Sequence, residues 1–170
     1  TGVPEGDELK LLEPYRGRIP TEVFTHEYNP PKNDGSGNIR RNLRKASKLL
    51  NDAGWVIKGR KRINGKTGKP LEFEVLLVSP LFERVVLPFA KNLEKLGVKV
   101  RVRTVDPSQY RRRLDTFDFD VIVGGWGQSL SPGNEQRSFW GSRAADIEGG
   151  RNTIGIKDPM IDELIEKVIA

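Results

Sequence analysis

The sequence has no cysteine, and only one histidine and one methionine among its 170 residues. The absence of cysteine excludes disulfides, thiol catalysis and cysteine metal sites, although it leaves the compartment open. The single histidine, His26, has neither a second histidine to share a metal ion nor a recognisable catalytic triad around it. We therefore expect no catalytic residue, no metal site and no cofactor, and a hydrolase fits the sequence poorly.

Long apolar stretches are missing as well. No run of about 18 apolar residues occurs, so the sequence predicts no membrane-spanning helix. A signal peptide is also absent, but the chain begins at Thr1 rather than at methionine, so a signal could have been removed. At the other end, apolar residues at helical spacing from Ile161 to Ile169 run on without a stop signal. We expect the chain to be a piece of a larger protein.

Acidic residues are fewer than basic ones. The chain has 23 Asp and Glu and 29 Lys and Arg, which gives a formal net charge of +6. Such a balance is compatible with nucleic acid, a membrane surface or anionic ligands, and also with solubility alone. The run Arg111-Arg112-Arg113 forms no phosphate-binding stripe, because consecutive residues of a helix point in different directions. Basic and acidic residues also alternate along the chain, so a basic nucleic-acid-binding module is kept only as the alternative function.

Regular periodicity begins only after residue 37. Residues 1–37 are rich in Gly, Pro and charge and predict an extended arm, whereas residues 38–170 predict a lobe of helices and strands. Asn38 is the predicted N-cap of the first helix of this lobe, and Gly54 is its predicted end.

Strands and helices follow in turn. The stretches Trp55 to Ile63 and Leu71 to Val78 are joined by a Gly-containing turn, which predicts a hairpin. A second helix is capped by Ser79 and should be kinked at Pro88. Its predicted buried face consists of Phe82, Val85, Val86, Phe89, Leu93 and Leu96.

Two further strands are expected. Apolar and basic residues alternate from Val98 to Val102, and Phe119 to Val123 is a continuous apolar run typical of a central strand. Between them, a helix capped by Asp106 runs to about Thr116. This order predicts an α/β fold, a mixed sheet flanked by helices with parallel neighbours. Ligands of such sheets bind beyond the carboxyl ends of the strands.

The most informative stretch, Gly124 to Gly141, follows the last predicted strand. Its glycines let a ligand approach the backbone, and Trp126 offers an aromatic wall beside polar side chains. The predicted ligand-binding residues are Trp126, Gly127, Gln128, Ser129, Ser131, Asn134 and Arg137. The alternative is a structural loop whose tryptophan plugs the core. The guanidinium of Arg137 suits a carboxylate or phosphate, and its alternative is an ion pair with Glu135 or Asp146.

Several stretches of the sequence together resemble one family, the extracellular solute-binding proteins of family 5, and within it the YejA-like subgroup. They are Leu12-Glu13-Pro14-Tyr15-Arg16, Asn38-Ile39-Arg40 with the helix to Ala53-Gly54-Trp55, Pro80-Leu81-Phe82-Glu83-Arg84, Val105-Asp106-Pro107-Ser108-Gln109-Tyr110, Phe117-Asp118-Phe119-Asp120, and Trp126-Gly127-Gln128-Ser129-Leu130-Ser131-Pro132-Gly133-Asn134-Glu135-Gln136. The last stretch is long and unusual, and the resemblance covers nearly the whole chain.

The resemblance implies the C-terminal lobe of a two-lobed, type II periplasmic-binding-protein fold. It implies the exported, periplasmic binding component of an ATP-binding-cassette importer, with a peptide or peptide-like ligand and a membrane permease as partners. Contact with the membrane is expected only through the permease or through an anchor elsewhere in the protein. Many members carry an aspartate three residues after the matching tryptophan, where it holds the α-amino group of a peptide. Here Ser129 has no charge to neutralise an ammonium, which leaves blocked or modified peptides open.

Overall fold

A computed structural model describes residues 2–169 of the chain. Thr1, where the predicted arm begins, and Ala170, where the predicted lobe ends, lie outside the described residues. The chain divides into two compact units, and the boundary falls between Ile39 and Arg40. Each unit has secondary structure of its own and is described separately.

The first unit is partly helical. It contains helix α1 (Gly6–Leu12), a 3-10 turn (Glu13–Tyr15) and helix α2 (Glu22–Thr25). The extended arm predicted from the sequence therefore misses these short elements. Acidic residues occupy the first turn of α1, where their negative charge interacts favourably with the positive end of the helix dipole. This interaction favours the helix although its apolar periodicity is weak.

The second unit opens with helix α3 (Arg40–Asp52) and a β-hairpin. Gly54, which has φ +83°, follows the helix in the left-handed conformation expected from the sequence. Strands β1 (Trp55–Lys58) and β2 (Lys61–Asn64) pair antiparallel through the turn at Gly59, which has φ +62°. The predicted pairing of 55–63 with 71–78 is found only at its first step, where Ile63 forms an isolated antiparallel bridge with Pro70 and the N–H of Leu71 donates to the carbonyl oxygen of Arg62. Beyond that step the prediction is wrong. A glycine in the middle of the first stretch closes the hairpin early, because it alone supplies the positive φ of a tight turn cheaply.

A buried arginine joins the hairpin to its neighbours. The side chain of Arg62 is 1% exposed, and its guanidinium donates to the carbonyl oxygens of Leu96 and Trp55. It also donates to Asn51 Oδ1 at 2.6 Å and to Ser47 Oγ at 3.1 Å, both on α3. The charge is thus solvated by four neutral acceptors instead of a carboxylate, which satisfies the donors that burial would otherwise leave unpaired.

A parallel sheet of three strands forms the centre of the second unit. Strands β3 (Glu72–Leu77), β4 (Lys99–Thr104) and β5 (Val121–Ile122) are ordered β4-β3-β5, and both pairings are parallel. The α/β class predicted from the sequence is confirmed. The central strand is β3, whose Val75, Leu76 and Leu77 are buried, and not the run Phe119 to Val123, of which only two residues form an edge strand.

Helix α4 (Glu83–Glu94) covers one face of this sheet. Val86 packs with Val75 and Leu77, and the helix continues without interruption across Pro88. The predicted buried face is only half right. Val86 and Leu96 are buried and Leu93 is half-buried, but Phe82, Val85 and Phe89 are exposed by 43%, 62% and 52%. The helix is thus rotated so that Val86 and Ala90 are its buried residues, and Val86 contacts the sheet.

The unit also contains helix α5 (Pro107–Asp115), helix α6 (Glu135–Trp140), helix α7 (Pro159–Ile169) and two 3-10 helices, Pro80–Phe82 and Ser142–Asp146. Asp106 caps α5 as predicted, and its carboxylate accepts from the backbone N–H groups of residues 108 and 109. α5 connects β4 to β5, and α6 contacts α7. The carboxyl ends of β3, β4 and β5 therefore meet at one edge of the sheet, and the segment that follows β5 starts there.

Candidate ligand-binding site

An irregular segment, residues 124–131, begins two residues beyond the end of β5. Within residues 2–169, no backbone N–H of this segment donates a hydrogen bond to the chain. Of its carbonyl groups only that of Ser131 accepts one, from the hydroxyl of Ser129 at 2.5 Å. We call residues 124–131 the open segment. Its main-chain groups are solvated and available to a partner that offers matching donors and acceptors.

Two contacts fix the side chain of Trp126 in the open segment. Its indole Nε1 donates to the carbonyl oxygen of Arg151 at 3.0 Å, and its ring centroid lies 4.9 Å from that of Trp140 at an interplanar angle of 46°. The side chain is half-buried and is not enclosed in the core. A hydrogen bond on one edge and an aromatic neighbour fix the orientation of the ring, as a preformed ligand wall requires.

A cavity of about 590 Å³ opens beside Trp126. Its walls come from α5, from the end of β5 with Gly124 and Gly125, and from residues 149–153. Tyr110 lines it, and its hydroxyl lies 3.4 Å from the carbonyl oxygen of Val123. Burial raises the pKa of the Tyr110 phenol, so this hydroxyl stays protonated at neutral pH. The volume suits a small ligand or one or two residues of a larger one.

Gln128 belongs to a hydrogen-bonded series that leads back to the tryptophan pair. Gln136 donates through Nε2 to Gln128 Oε1 at 2.6 Å, and its own Oε1 accepts from Trp140 Nε1 at 3.1 Å. Because Trp140 contacts Trp126, the open segment and α6 are connected through these amides and rings. The amide group of Gln128 is exposed, so part of its bonding capacity is available to solvent or ligand.

The other predicted polar residues lie apart from the cavity. Ser129 and Ser131 bond to each other on the exposed part of the segment, and Asn134 accepts from Arg137 through its Oδ1. Neither these residues nor Gln128 line the cavity beside Trp126. The predicted set is therefore spread along a surface track that starts at the cavity.

Arg137 has a carboxylate partner on α7. Its Nε lies 2.7 Å from Glu166 Oε1, and Nη2 bonds the second oxygen, so the pair is bidentate. The hydrogen bond from Arg137 holds the pKa of the Glu166 carboxyl below its usual value. The ion-pair alternative considered for Arg137 is found with Glu166, and not with Glu135 or Asp146. A ligand carboxylate would have to displace this partner.

Glu135 is occupied by the backbone instead. Its Oε1 accepts from the N–H of Gly133 at 2.9 Å. This bond, followed by one from the N–H of Glu135 itself, lowers the pKa of the Glu135 carboxyl. The carboxylate therefore stays charged and fixes the turn that leads from the open segment into α6.

The glycines of the open segment have space around them. A methyl group added at Gly125 or Gly127 would meet no atom of the chain within 4 Å, and at Gly124 only one, at 3.9 Å. None of the three has a positive φ. Neither the backbone conformation nor internal packing therefore demands glycine there, which is consistent with an approach from outside.

The three consecutive arginines of α5 do not act together. Arg111 pairs with Asp115 and Arg113 with Glu74 and Asp118, and Arg112 is exposed. The prediction that they form no common stripe is confirmed. The part of the chain that the structure describes also has no group of three His, Asp or Glu side chains placed to hold a metal ion. It has no helix long and apolar enough to cross a bilayer.

Comparison with known proteins identifies the family. Residues 12–146 match the model of the bacterial extracellular solute-binding proteins, family 5. The chain belongs to this family. The resemblance recognised in its motifs is thereby confirmed.

Relatives of the family-5 chain are much longer proteins. It is 54% identical over 169 residues to an uncharacterised protein of Sinorhizobium fredii, with 99% of the chain and 26% of the relative covered. It is 46% identical over 169 residues to a probable peptide-binding protein, YejA, of Agrobacterium fabrum, with 99% of the chain and 28% of that relative covered. The chain thus spans about a quarter of the length of these relatives.

A solved structure shows the same fold. The oligopeptide-binding protein AppA of Bacillus subtilis, in complex with a nonapeptide, is similar with a TM-score of 0.61 and 26% identity. The match covers 83% of this chain and 28% of AppA. The expectation of a lobe of the type II binding-protein fold is confirmed by this likeness.

Sequence reasoning missed several residues of this candidate site. Tyr110 and Arg151 help to form the cavity, and Gln136 orients the amide of Gln128. The sequence offered one signal, the pair Gly149-Gly150 before Arg151, which lies in a stretch without periodicity. Contact between residues 126 and 151 depends on the fold of the intervening chain, which no local pattern reveals.

Proposed function

We propose that this chain forms one wall of an interlobe cleft in the binding component of an ATP-binding-cassette importer. In this proposal the cleft captures peptides or peptide-like solutes, and the closed protein delivers them to a membrane permease from the periplasm. The chain does no chemistry of its own. Closure of two lobes around a ligand is a hinge motion, and the track from the cavity to Asn134 would be one of the closing surfaces.

The observation that carries the proposal is the open segment. Eight consecutive residues, 124–131, have no backbone N–H bonded within the described chain. An extended peptide presents the complementary array, because each of its residues offers one N–H and one carbonyl. Main-chain hydrogen bonds of this kind bind a peptide with little dependence on its side chains.

The cavity beside Trp126 supplies a second element of recognition. An aromatic ring fixed by Arg151 and Trp140 can cover one apolar side chain of the ligand, while the open mouth admits side chains of different size. Water in such a pocket would accommodate several side chains and give broad specificity. YejA of Agrobacterium fabrum is named a probable peptide-binding protein and AppA holds a nonapeptide, which supports peptides as the ligand class.

Ser129 narrows the class of ligand. Its hydroxyl is bonded to the carbonyl oxygen of Ser131 and carries no charge, so it cannot neutralise the α-ammonium of a free peptide. We therefore propose that ligands with a blocked or modified amino terminus are preferred. A buried ammonium without a carboxylate partner is unfavourable, whereas an acylated nitrogen needs only a hydrogen-bond acceptor.

The test is a titration of the complete protein that contains this chain, with matched peptide pools whose amino termini are either free or acetylated. Calorimetry and tryptophan fluorescence should show saturable binding that is stronger for the acetylated pool. Trp126→Ala should weaken binding, and Trp126→Phe, which keeps an aromatic ring, should weaken it less. Equal affinity of both pools would contradict the role of Ser129, and no binding of either would remove peptides as the ligand class.

A further inference from the structure

The positive charge of the chain is concentrated in one segment. Residues 40–70 hold eleven of the 29 Lys and Arg and one of the 23 Asp and Glu, Asp52. This segment therefore has a formal charge of +10, and the remainder of the chain has −4. The alternation of basic and acidic residues described for the chain as a whole is therefore absent from this segment.

The structure places this charge on the surface of α3, of the adjacent hairpin and of the turn that follows the hairpin, which carries Lys66 and Lys69. Ten of the eleven basic side chains are exposed, and the eleventh, Arg62, is the buried residue that joins the hairpin to α3. At 100° per residue, the five cations of α3 cover an arc of about 140°. They are Arg40, Arg41, Arg44, Lys45 and Lys48. We call these five residues, with the exposed cations of the hairpin, the basic face.

Three cations of this arc form no ion pair in the described structure. No carboxylate of residues 2–169 lies within 4 Å of Arg41, Lys45 or Lys48. Like charges at this density repel one another and disfavour the folded chain. An anionic partner would remove that repulsion, so the arrangement favours binding to a surface of negative charge.

Exposed aliphatic side chains accompany the cations on the same elements. Leu49 on α3 is 58% exposed, and Val56 and Ile57 on β1 are 41% and 49% exposed. Aliphatic side chains between Lys and Arg are the composition of surfaces that lie on a bilayer, where the cations meet lipid phosphates and the aliphatic groups enter the interface. The only aromatic residue of α3 and the hairpin, Trp55, is half-buried, so bases find no exposed ring on which to stack.

We propose that the basic face binds directly to a membrane surface rich in anionic phospholipids. The description of the family as extracellular fits this partner, because a protein outside the cytoplasm meets a membrane and not nucleic acid. The basic face consists of other residues than the cavity and the open segment, so lipid binding would hold the protein near its membrane and leave the ligand site free.

The test uses the complete protein that contains this chain, with vesicles in a sedimentation assay. Vesicles of phosphatidylcholine with roughly 30% phosphatidylglycerol should bind it, and vesicles of pure phosphatidylcholine should not. Binding should fall steeply as NaCl is raised from about 0.1 M to about 1 M, because the Debye length falls from about 10 Å to about 3 Å.

Two variants separate the basic face from charge in general, and in each of them the formal net charge of the chain falls from +6 to zero. The first carries Arg41→Glu, Lys45→Glu and Lys48→Glu on the α3 part of the basic face. The control carries Arg84→Glu, Lys91→Glu and Arg112→Glu, three exposed cations on α4 and α5. The first should lower the partition coefficient about 100-fold or more, and the control should lower it by less than about tenfold.

A milder variant controls for unfolding caused by the Glu substitutions. Substitution of Arg41, Lys45 and Lys48 by Gln should reduce binding to an intermediate degree, with an unchanged circular dichroism spectrum. Three results would overturn the proposal: no binding at about 0.1 M salt, equal losses in both Glu variants, or displacement of vesicles by a 20-base-pair DNA duplex that binds more tightly through the same residues. The last would make the basic face a nucleic-acid site.

Discussion

The open segment, residues 124–131, and the connection from Gly141 to Ile156 satisfy their polar groups in opposite ways. Both lack an α-helix and a strand and contain several glycines, and the second includes a 3-10 helix, Ser142–Asp146. In the second, Asn152 is fully buried and its amide makes three hydrogen bonds, to the carbonyl oxygens of Gly141 and Ile156 and from the N–H of Ile156. The open segment has no comparable internal anchor. One loop is thus part of the core, and the other leaves its polar groups to solvent.

The glycines of the two loops have different functions. A Cβ at Gly150 would lie 2.6 Å from the carbonyl oxygen of Ile147 and 2.7 Å from that of Ala144, and at Gly141 it would lie 2.6 Å from that of Arg137. At Gly125 and Gly127 it would touch nothing within 4 Å. Glycine in the anchored loop serves internal packing, whereas glycine in the open segment leaves room for something outside the chain. The difference teaches that glycine content alone does not identify a binding loop.

The largest expected effect is on the stability of the anchored loop. Asn152→Ala removes three hydrogen bonds. It leaves the carbonyl and the N–H of half-buried Ile156 without a partner, whereas the carbonyl of Gly141 keeps its bond from the N–H of Ala144. We expect the free energy of unfolding to fall by about 3 kcal/mol, measured by urea denaturation with tryptophan fluorescence. Asn134→Ala, the same change at an exposed position, should cost less than about 0.5 kcal/mol. Similar small losses for both variants would mean that Asn152 does not anchor the loop.

The second-largest expected effect is on the free energy of unfolding when glycines of the two loops are replaced by alanine. Gly150→Ala forces a methyl group against two carbonyl oxygens, and we expect it to lower the free energy of unfolding by about 2 kcal/mol. Gly125→Ala should leave that free energy unchanged to within about 0.5 kcal/mol, because its methyl group meets empty space and φ is not positive. A loss at Gly125 as large as that at Gly150 would erase the distinction between the loops.

A third effect concerns ligand binding and rests on the proposed function. Gly127→Ala should weaken peptide binding to the complete protein about tenfold, because the methyl group occupies the space through which the ligand backbone approaches. The thermal unfolding midpoint should not change. Thr153→Ser, a conservative change that removes one methyl group at the cavity wall, serves as the control and should affect affinity less. Unaltered affinity in Gly127→Ala would show that the ligand does not pass over this part of the segment.

Much of the fold followed from local patterns. The ends of α3 and α5 were predictable because Gly54 and Asp106 perform the terminal roles that their chemistry favours. The sheet was predictable as parallel because helices separate its strands. The position of the hairpin was not predictable, since Gly59 was interpreted as part of a strand although its backbone makes the turn. The strand order also escaped prediction, because a long apolar run does not distinguish a central strand from an edge strand.

The candidate site was predictable only in part. Trp126 was recognisable from its place after an apolar strand, and the structure gives it a half-buried position at a cavity. The partner of Arg137 was not recognisable, because Glu166 is 29 residues away and on another helix. The contact of Arg151 with Trp126 was not recognisable either. Local sequence reports which groups are present, and long-range packing decides which of them are already paired.

The smallest effect comes from the ion pair between Arg137 and Glu166, which joins α6 to α7. The pKa of the folded Glu166 carboxyl is lowered, first by the hydrogen bond from Arg137, so the folded chain binds fewer protons than the unfolded chain. The contribution of Glu166 is therefore complete above the ordinary glutamate pKa of about 4.3, and it is lost as the pH falls through the lower, folded value.

Glu166→Gln should consequently flatten part of the decline in the thermal unfolding midpoint under acid conditions, with only a small change at neutral pH, because the side chains of Arg137 and Glu166 are 47% and 59% exposed. Glu135, whose pKa is lowered by backbone N–H groups, should keep some acid dependence in the variant. Glu148→Gln is the matched control, an exposed glutamate of the same unit without an ion pair in the described structure. If Glu166→Gln and Glu148→Gln gave the same pH profile, the pair would not hold α6 against α7 in solution, and Arg137 would be free to bind a ligand carboxylate as the sequence suggested.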